Sequence, residues 1–262
     1  MRKLLYILLW IALGGYLVWT GQKVRHAGRA ALCTGISIGI ADSDRLALIS
    51  QAELYERMAP LRERYTGTAL HALPLSEIET QLEAHPAVKN AEAYVTYDGL
   101  LHIEVSQRIP LLRVINAYGD DFYIDRDGYI LQLTAPHAAY VPVATGRIAV
   151  RPAAVGTQPV HARSGDAGSV FPVLSELYAM AGWLNEHPFW NAQIQEIYVR
   201  DDGDFQLVPL VGPVILFGRW QDAEEKFGNL LAFYRNGLNV MGWDHYKQVN
   251  VKYRGQVIGT RK

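Results

Sequence analysis

A single cysteine, Cys33, is all the thiol chemistry available to this chain of 262 residues. No internal disulfide can form, and cysteine-based zinc sites and CxxC redox pairs are excluded. Charge is also scarce. Only 19% of residues are Asp, Glu, Lys or Arg, and the formal net charge is −1 at pH 7. Such a chain has no electrostatic footprint for nucleic acid. Its 8 histidines lack HxH, HxxxH and HExxH spacing, so no metal site is expected. There is no glycine-rich phosphate loop and no dinucleotide fingerprint. The acidic pairs Asp120-Asp121 and Asp201-Asp202 sit in turn-like contexts and read as solvated turn residues, not as paired catalytic carboxylates. The chain is therefore expected to hold no cofactor and to process no small-molecule substrate.

Half of the residues are hydrophobic, which suffices for one large domain or two smaller ones with real cores. One long apolar run stands out. Residues 4–21, LLYILLWIALGGYLVWTG, carry no charge. As helix they span roughly 27 Å, close to a bilayer core. No small-residue cleavage site follows, so an uncleaved transmembrane anchor is expected in place of a signal peptide. Residues 1–3 then form a short tail and residues 22–30 a juxtamembrane linker. Lys23, Arg25 and Arg29 suit anionic lipid headgroups, and equally suit a plain solvated flank. Flanking positive charge is nearly balanced, so it does not by itself orient the helix.

GISIG, residues 35–39, fits the nucleophile pattern G-x-S-x-G. That chemistry needs a strand, a sharp turn at the serine and a helix starting at once. Here Thr34, Ile36, Ile38 and Ile40 alternate with Cys33, Gly35, Ser37 and Gly39 straight through the serine, which is strand periodicity. Turn residues Asp42-Ser43-Asp44 come later. Ser37 thus reads as a strand residue, with a membrane-anchored serine hydrolase as the competing interpretation.

Further on, Ser50/Glu53 and Ser76/Glu79 each have capping-box spacing, Leu75 is placed to staple the second helix, and Ile78 and Leu82 make a buried stripe. His85-Pro86 stops that helix. VKNAEAYVTY and LLHIEVSQR flank Asp98-Gly99, a strong hairpin signal. Residues 31–108 therefore read β-α-α-β-β, a small α+β sandwich. From Ile109 strands dominate, giving a mainly antiparallel β region with two helices over residues 109–262. FYID and YILQL flank Arg126-Asp127-Gly128. Val141–Ala144 is expected as an edge strand because of Pro142, and residues 145–170 as loop. FPVLSELYAMAGWLNEH has helical spacing at Val173, Leu177, Met180, Ala181 and Leu184, ending at His187-Pro188. IQEIYV and FQLV flank Asp202-Gly203, and PVILF follows as a strand. Asp222 and Glu225 are placed to cap a last helix striped by Phe227, Leu230, Leu231 and Tyr234, with Gly237 as its C-terminal stop. YKQVNVKY, an Arg254-Gly255 turn and QVIGT close the chain. Trp183 and Trp190 read as core aromatics.

LEAHPAVKNAEAYVTYDGLLHIEVSQRIPLLRV resembles the end of the POTRA domain in the FtsQ/DivIB family of bacterial cell-division proteins. The matching residues are Pro86 and Val88, Ala91 to Val95, Leu101, Ile103 and Val105, then Gln107-Arg108 and Pro110 at an E/Q-R-x-P junction. FYIDRDGYIL resembles the hairpin that follows in the family. V-N-V-K-Y, Val249 to Tyr253, stands where the family carries I-D-L-R-Y. Asn250 replaces Asp, and Lys252 replaces Arg, so Arg's planar two-pronged contact is lost. The resemblance implies a non-catalytic divisome scaffold in the inner membrane, with a cytoplasmic N-terminus, a periplasmic bulk and a place at the septum. It implies FtsB- and FtsL-like partners, with further division proteins meeting the POTRA domain. The other POTRA-bearing class is export or assembly factors, which carry repeats or a long barrel not found here. Strand addition at an exposed sheet edge is the expected binding mode. Val249, Val251, Lys252, Tyr253 and Arg254 are the expected partner-binding residues.

Overall fold

The computed structural model describes residues 10–20, 31–41, 48–132, 139–161 and 170–262. Residues 10–20 are helical. The rest of the expected membrane segment, and the juxtamembrane linker up to residue 30, lie outside the described residues. Among the described residues no helix is long and apolar enough to cross a membrane. The chain divides into two compact units, one ending at Gln107 and the other starting at Arg108.

The first unit runs β1 (Gly35–Ala41), α1 (Gln51–Tyr65), a short 3-10 turn (Leu70–Ala72), α2 (Leu75–Glu83), β2 (Val88–Val95) and β3 (Leu100–Gln107). Its sheet has the order β1-β3-β2, with β1 parallel and β2 antiparallel to the central β3. The alternation in β3 works as expected: Leu101, Ile103 and Val105 are buried. Leu101 and Ile103 are in register with the buried Ile36 and Ile38 of β1, and Leu54 and Met58 of α1 and Ile78 and Leu82 of α2 are buried as well. Burying one such aliphatic side chain contributes about 2 kcal/mol. The β2–β3 turn forms at Asp98-Gly99. Gly99 has φ +86°, and the Asp98 carboxylate accepts from the Leu100 N–H at 3.3 Å.

The two expected capping boxes differ in outcome. Ser50 caps α1, its Oγ accepting from the Glu53 N–H at 3.1 Å. Glu53 does not close back on Ser50. Its carboxylate lies 3.4 Å from His85 Nε2. The second box does not form. α2 begins at Leu75 after Pro74, no side chain caps it, and Ser76 lies inside the helix. Glu79 instead accepts from the Ala93 N–H of β2 at 2.9 Å. A strand N–H packed alongside outcompeted the local cap.

The second unit builds a nine-stranded sheet in the order β12-β11-β10-β9-β8-β7-β4-β5-β6. These strands are β4 (Pro110–Ile115), β5 (Asp121–Asp125), β6 (Ile130–Leu131), β7 (Val143–Gly146), β8 (Ile194–Val199), β9 (Phe205–Pro209), β10 (Val214–Gly218), β11 (Tyr246–Asn250) and β12 (Ile258–Arg261). Helices α3 (Pro152–Val155), α4 (Pro172–Glu186), α5 (Pro188–Gln193), α6 (Ala223–Phe233) and α7 (Asn239–Met241) join them. Leu174, Leu177, Met180, Ala181 and Leu184 of α4 and Phe227 and Leu230 of α6 share one core with Phe205, Ile215 and Phe217 of the sheet. Leu174, not Val173, carries the first turn of the α4 stripe. Trp183 and Trp190 both pack against Phe227, at ring distances of 4.1 and 5.0 Å, as core aromatics should.

Four local expectations are corrected. β7 is not an edge strand: it lies between β4 and β8, parallel to both. Pro142 precedes the ladder, and its carbonyl accepts from the Arg113 N–H at 3.0 Å, so the missing proline donor costs nothing. The stretch after residue 145 is not all loop, since Pro152–Val155 is helical. Asp222 occupies the N-cap position of α6 in a left-handed conformation, φ +54°, without a side-chain cap bond, and Glu225 is drawn to Arg254 and Gly255. Gly237 does not stop the helix. The chain continues through a π-helical turn, Tyr234–Leu238, into α7, and Gly242 at φ +94° ends it.

Candidate functional site

β12 closes one end of the nine-stranded sheet. It pairs with β11 through Asn250↔Ile258, Val249↔Gly259 and Gln248↔Thr260. No ladder occupies its other side among the described residues. β11 is held on both sides, by β12 and by the parallel β10. The open backbone edge thus belongs to β12, not to the run Val249–Tyr253 as expected. An unpaired strand edge offers a row of N–H and C=O groups to an incoming strand.

The five expected partner residues separate along the chain. Val249 lies in β11 and is fully buried. Val251 lies just past the strand, also buried, its N–H donating to the Leu216 carbonyl at 2.9 Å. Both side chains belong to the buried core of the second unit. The next three point outward. Tyr253 is 55% exposed. Lys252 holds Asp204 at 2.5 Å, and this hydrogen bond raises its ammonium pKa above the ordinary lysine value. Arg254 holds Glu225 at 3.1 Å and Asp222 at 3.6 Å, with its pKa likewise raised by the Glu225 bond. Both cations are already engaged by this chain's own carboxylates, whereas the exposed Tyr253 has no such ion pair among the described residues. Asn250, where the family carries Asp, accepts from the Lys252 N–H at 2.9 Å. Ile258, at the start of β12, is 48% exposed. Sequence reasoning gave the edge to the wrong strand. The alternation of QVIGT after the Arg254-Gly255 turn was the signal for a further strand outside β11.

A family model described as FtsQ/DivIB, C-terminal related, matches residues 109–260. A POTRA-like domain model matches residues 31–106. The chain belongs to the FtsQ/DivIB family. It is also similar to the cell division protein FtsQ of Rhodothermus marinus, with 28% identity over 200 residues, covering 74% of this chain and 67% of the relative.

Within that family frame, the two junction residues have separate structural tasks. Gln107 is buried and its Oε1 accepts from the Leu48 and Ile49 N–H groups at 3.1 and 3.2 Å, holding the approach to α1. Arg108 donates to the buried Asp125 carboxylate at 2.8 Å. Ser37 lies in the middle of β1, in register with His102 of β3. It borders a shallow depression of about 300 Å³ with Tyr94 and Glu104. The His102 ring stacks on Tyr94 at 5.3 Å, and no hydrogen bond joins it to Ser37 among the described residues. The strand runs on through Ser37 without an elbow. Among the described residues no group of three His, Cys, Asp or Glu side chains could hold a metal ion.

Proposed function

We propose that this chain is a non-catalytic scaffold of bacterial cell division that captures a partner segment by strand addition at β12. Family membership and the similarity to a cell division protein support the division role. The observation that carries the binding mode is the strand order, which leaves β12 as the last member of the sheet. Main-chain hydrogen bonds would supply affinity there and side chains the register. Tyr253, rigid and amphipathic beside that edge, is of the type enriched in hot spots. The partner would be an FtsB- or FtsL-like membrane protein, and the first unit would meet other division proteins. The uncharged run at residues 4–21 would anchor the chain in the inner membrane, with the N-terminus in the cytoplasm and residues 31–262 in the periplasm at the septum. Domain limits at residues 31–108 and 109–262 are part of this reading.

The test is a titration of the chain with the FtsB-like partner, followed by amide hydrogen exchange. Amides of Ile258–Arg261 should gain protection on binding, and Tyr253→Ala should weaken binding by about 2 kcal/mol. Unchanged exchange across β12 would sink strand addition. For the topology, a reporter active only in the cytoplasm and fused after Lys262 should be silent.

A further inference from the structure

The second unit carries a groove of about 460 Å³ walled by Phe189, Trp190, Tyr234 and Trp243. It is formed where α5 meets the π-helical turn that follows α6. π-helical turns are rare and concentrate at functional sites. Three observations indicate what the groove takes. First, Tyr234 is 2% exposed, and among the described residues its hydroxyl proton meets no acceptor, the nearby Gln193 side chain approaching only as a donor. The Gln193 amide also donates to the Val211 carbonyl at 2.5 Å. A buried polar group without a partner is unfavourable and calls for one. Burial pushes the Tyr234 phenol up to about 12, so it stays a donor near neutral pH and needs an acceptor. Second, the ionisable groups lining the groove besides this phenol are His187 and Arg235, with no carboxylate. That favours an acidic occupant. Third, the apolar surface continues past the groove. Phe189 is 51% exposed, and Val240 and Met241 beside the groove residue Asn239 are also exposed. Leu210 and Val211, tied to Gln193, are exposed as well. Exposed apolar side chains clustered beside an aromatic groove favour a macromolecular contact over a small-molecule cleft.

We propose that this groove docks a peptide segment of another protein, inserting an aromatic side chain among Trp190, Tyr234 and Trp243. An adjoining carboxylate would face Arg235, and an acceptor oxygen would meet the Tyr234 hydroxyl. No β12 residue lines this groove, and its test does not depend on strand addition.

The experiment selects displayed random peptides on the full-length protein in detergent, counter-selected with Phe189→Glu. The best peptide is then titrated through tryptophan fluorescence. Enriched sequences should pair an aromatic with an acidic residue. Arg235→Glu should weaken the selected peptide about tenfold, and Tyr234→Phe about fivefold. Tyr253→Ala should leave its binding unchanged. Tyr234→Phe removes an unpaired buried hydroxyl, so its melting temperature should be equal or higher than that of the parent. A melt that holds while peptide affinity falls supports a binding role for the hydroxyl. Affinity unaffected by both Tyr234→Phe and Arg235→Glu overturns the proposal. So does enrichment of basic or purely aliphatic peptides, or failure to enrich together with Phe189-dependent self-association or vesicle binding.

Discussion

Arg108 and Asp125, 17 residues apart, form an ion pair of 2.8 Å whose acidic partner is almost wholly buried. The same carboxylate accepts from the Asp127 and Tyr129 N–H groups at 3.0 and 2.7 Å, and the Arg108 guanidinium lies over the Tyr129 ring at 4.8 Å. One carboxylate thus ties the first residue of the second unit to the β5–β6 hairpin. Removing one member of a buried pair strands the other and the turn N–H groups. Asp125→Ala should therefore cost about 3 kcal/mol, measured by denaturant unfolding of the second-unit transition. Arg108→Ala should cost less, because the buried carboxylate it strands keeps the Asp127 and Tyr129 N–H groups as donors.

His85 should make the first unit acid-sensitive. Burial is the main cause of its lowered pKa, only partly offset by Glu53. Its Nδ1 accepts from the Ala87 N–H at 3.1 Å, a bond that the protonated ring cannot accept. The folded chain therefore binds this proton less readily than the unfolded chain. Stability should be full above the ordinary histidine value of 6.5 and should fall as pH drops through that value towards the lower folded one. His85→Gln should flatten this slope between pH 7 and 5, read by chemical unfolding at each pH. An unchanged slope would remove His85 as its origin.

Gly146 ends β7 with φ +92°. A Cβ there would overlap the Val199 carbonyl oxygen, which already accepts from the Arg147 N–H at 2.8 Å. Gly146→Ala should destabilise by about 2 kcal/mol or more through strain and displaced backbone, seen as a lower melting temperature. Gly119→Ala has a similar φ but open space and should cost less.

Ser37→Ala should leave stability within about 0.5 kcal/mol of the parent and leave growth of the host unchanged. A fluorophosphonate probe should fail to label the chain. Loss of function in a folded Ser37→Ala protein would revive hydrolase chemistry at the Ser37–His102 pair.

What the sequence made legible was what neighbouring residues decide among themselves. Asp98-Gly99 and Asp202-Gly203 specify their hairpins, Ser50 caps its helix, and the Ile78/Leu82 stripe needs only a helical period. Most of the misreadings concern groups whose partner comes from another part of the chain. Ser76/Glu79 has the cap pattern, but Ala93 claims Glu79. Asp222/Glu225 has it too, but Arg254 and Gly255 claim Glu225. Gly237 suits a helix stop, yet Leu238, buried in the core, is carried inward by the continuing helical turn. Pro142 signals an edge only if its own N–H position is needed, and the ladder starts one residue later. The candidate edge was displaced from β11 to β12 for the same reason: strand order is a property of the whole sheet, not of any one strand's alternation. The groove at Tyr234 left no signal in the sequence, because the stripe that predicts burial of a tyrosine does not reveal an orphaned hydroxyl.

The position of β7 has a mechanical meaning. In the strand order it is the seam between β4-β5-β6 on one side and the five strands from β8 to β12 on the other. Within the strand ladder, tension applied between Arg108 and Lys262 passes through this strand of 4 residues. Its contact with β4 is shorter still, two aligned pairs at Arg113↔Val143 and Val114↔Ala144. β4–β7 is thus the shortest ladder on that path, while β12 belongs with the strands that hold β8.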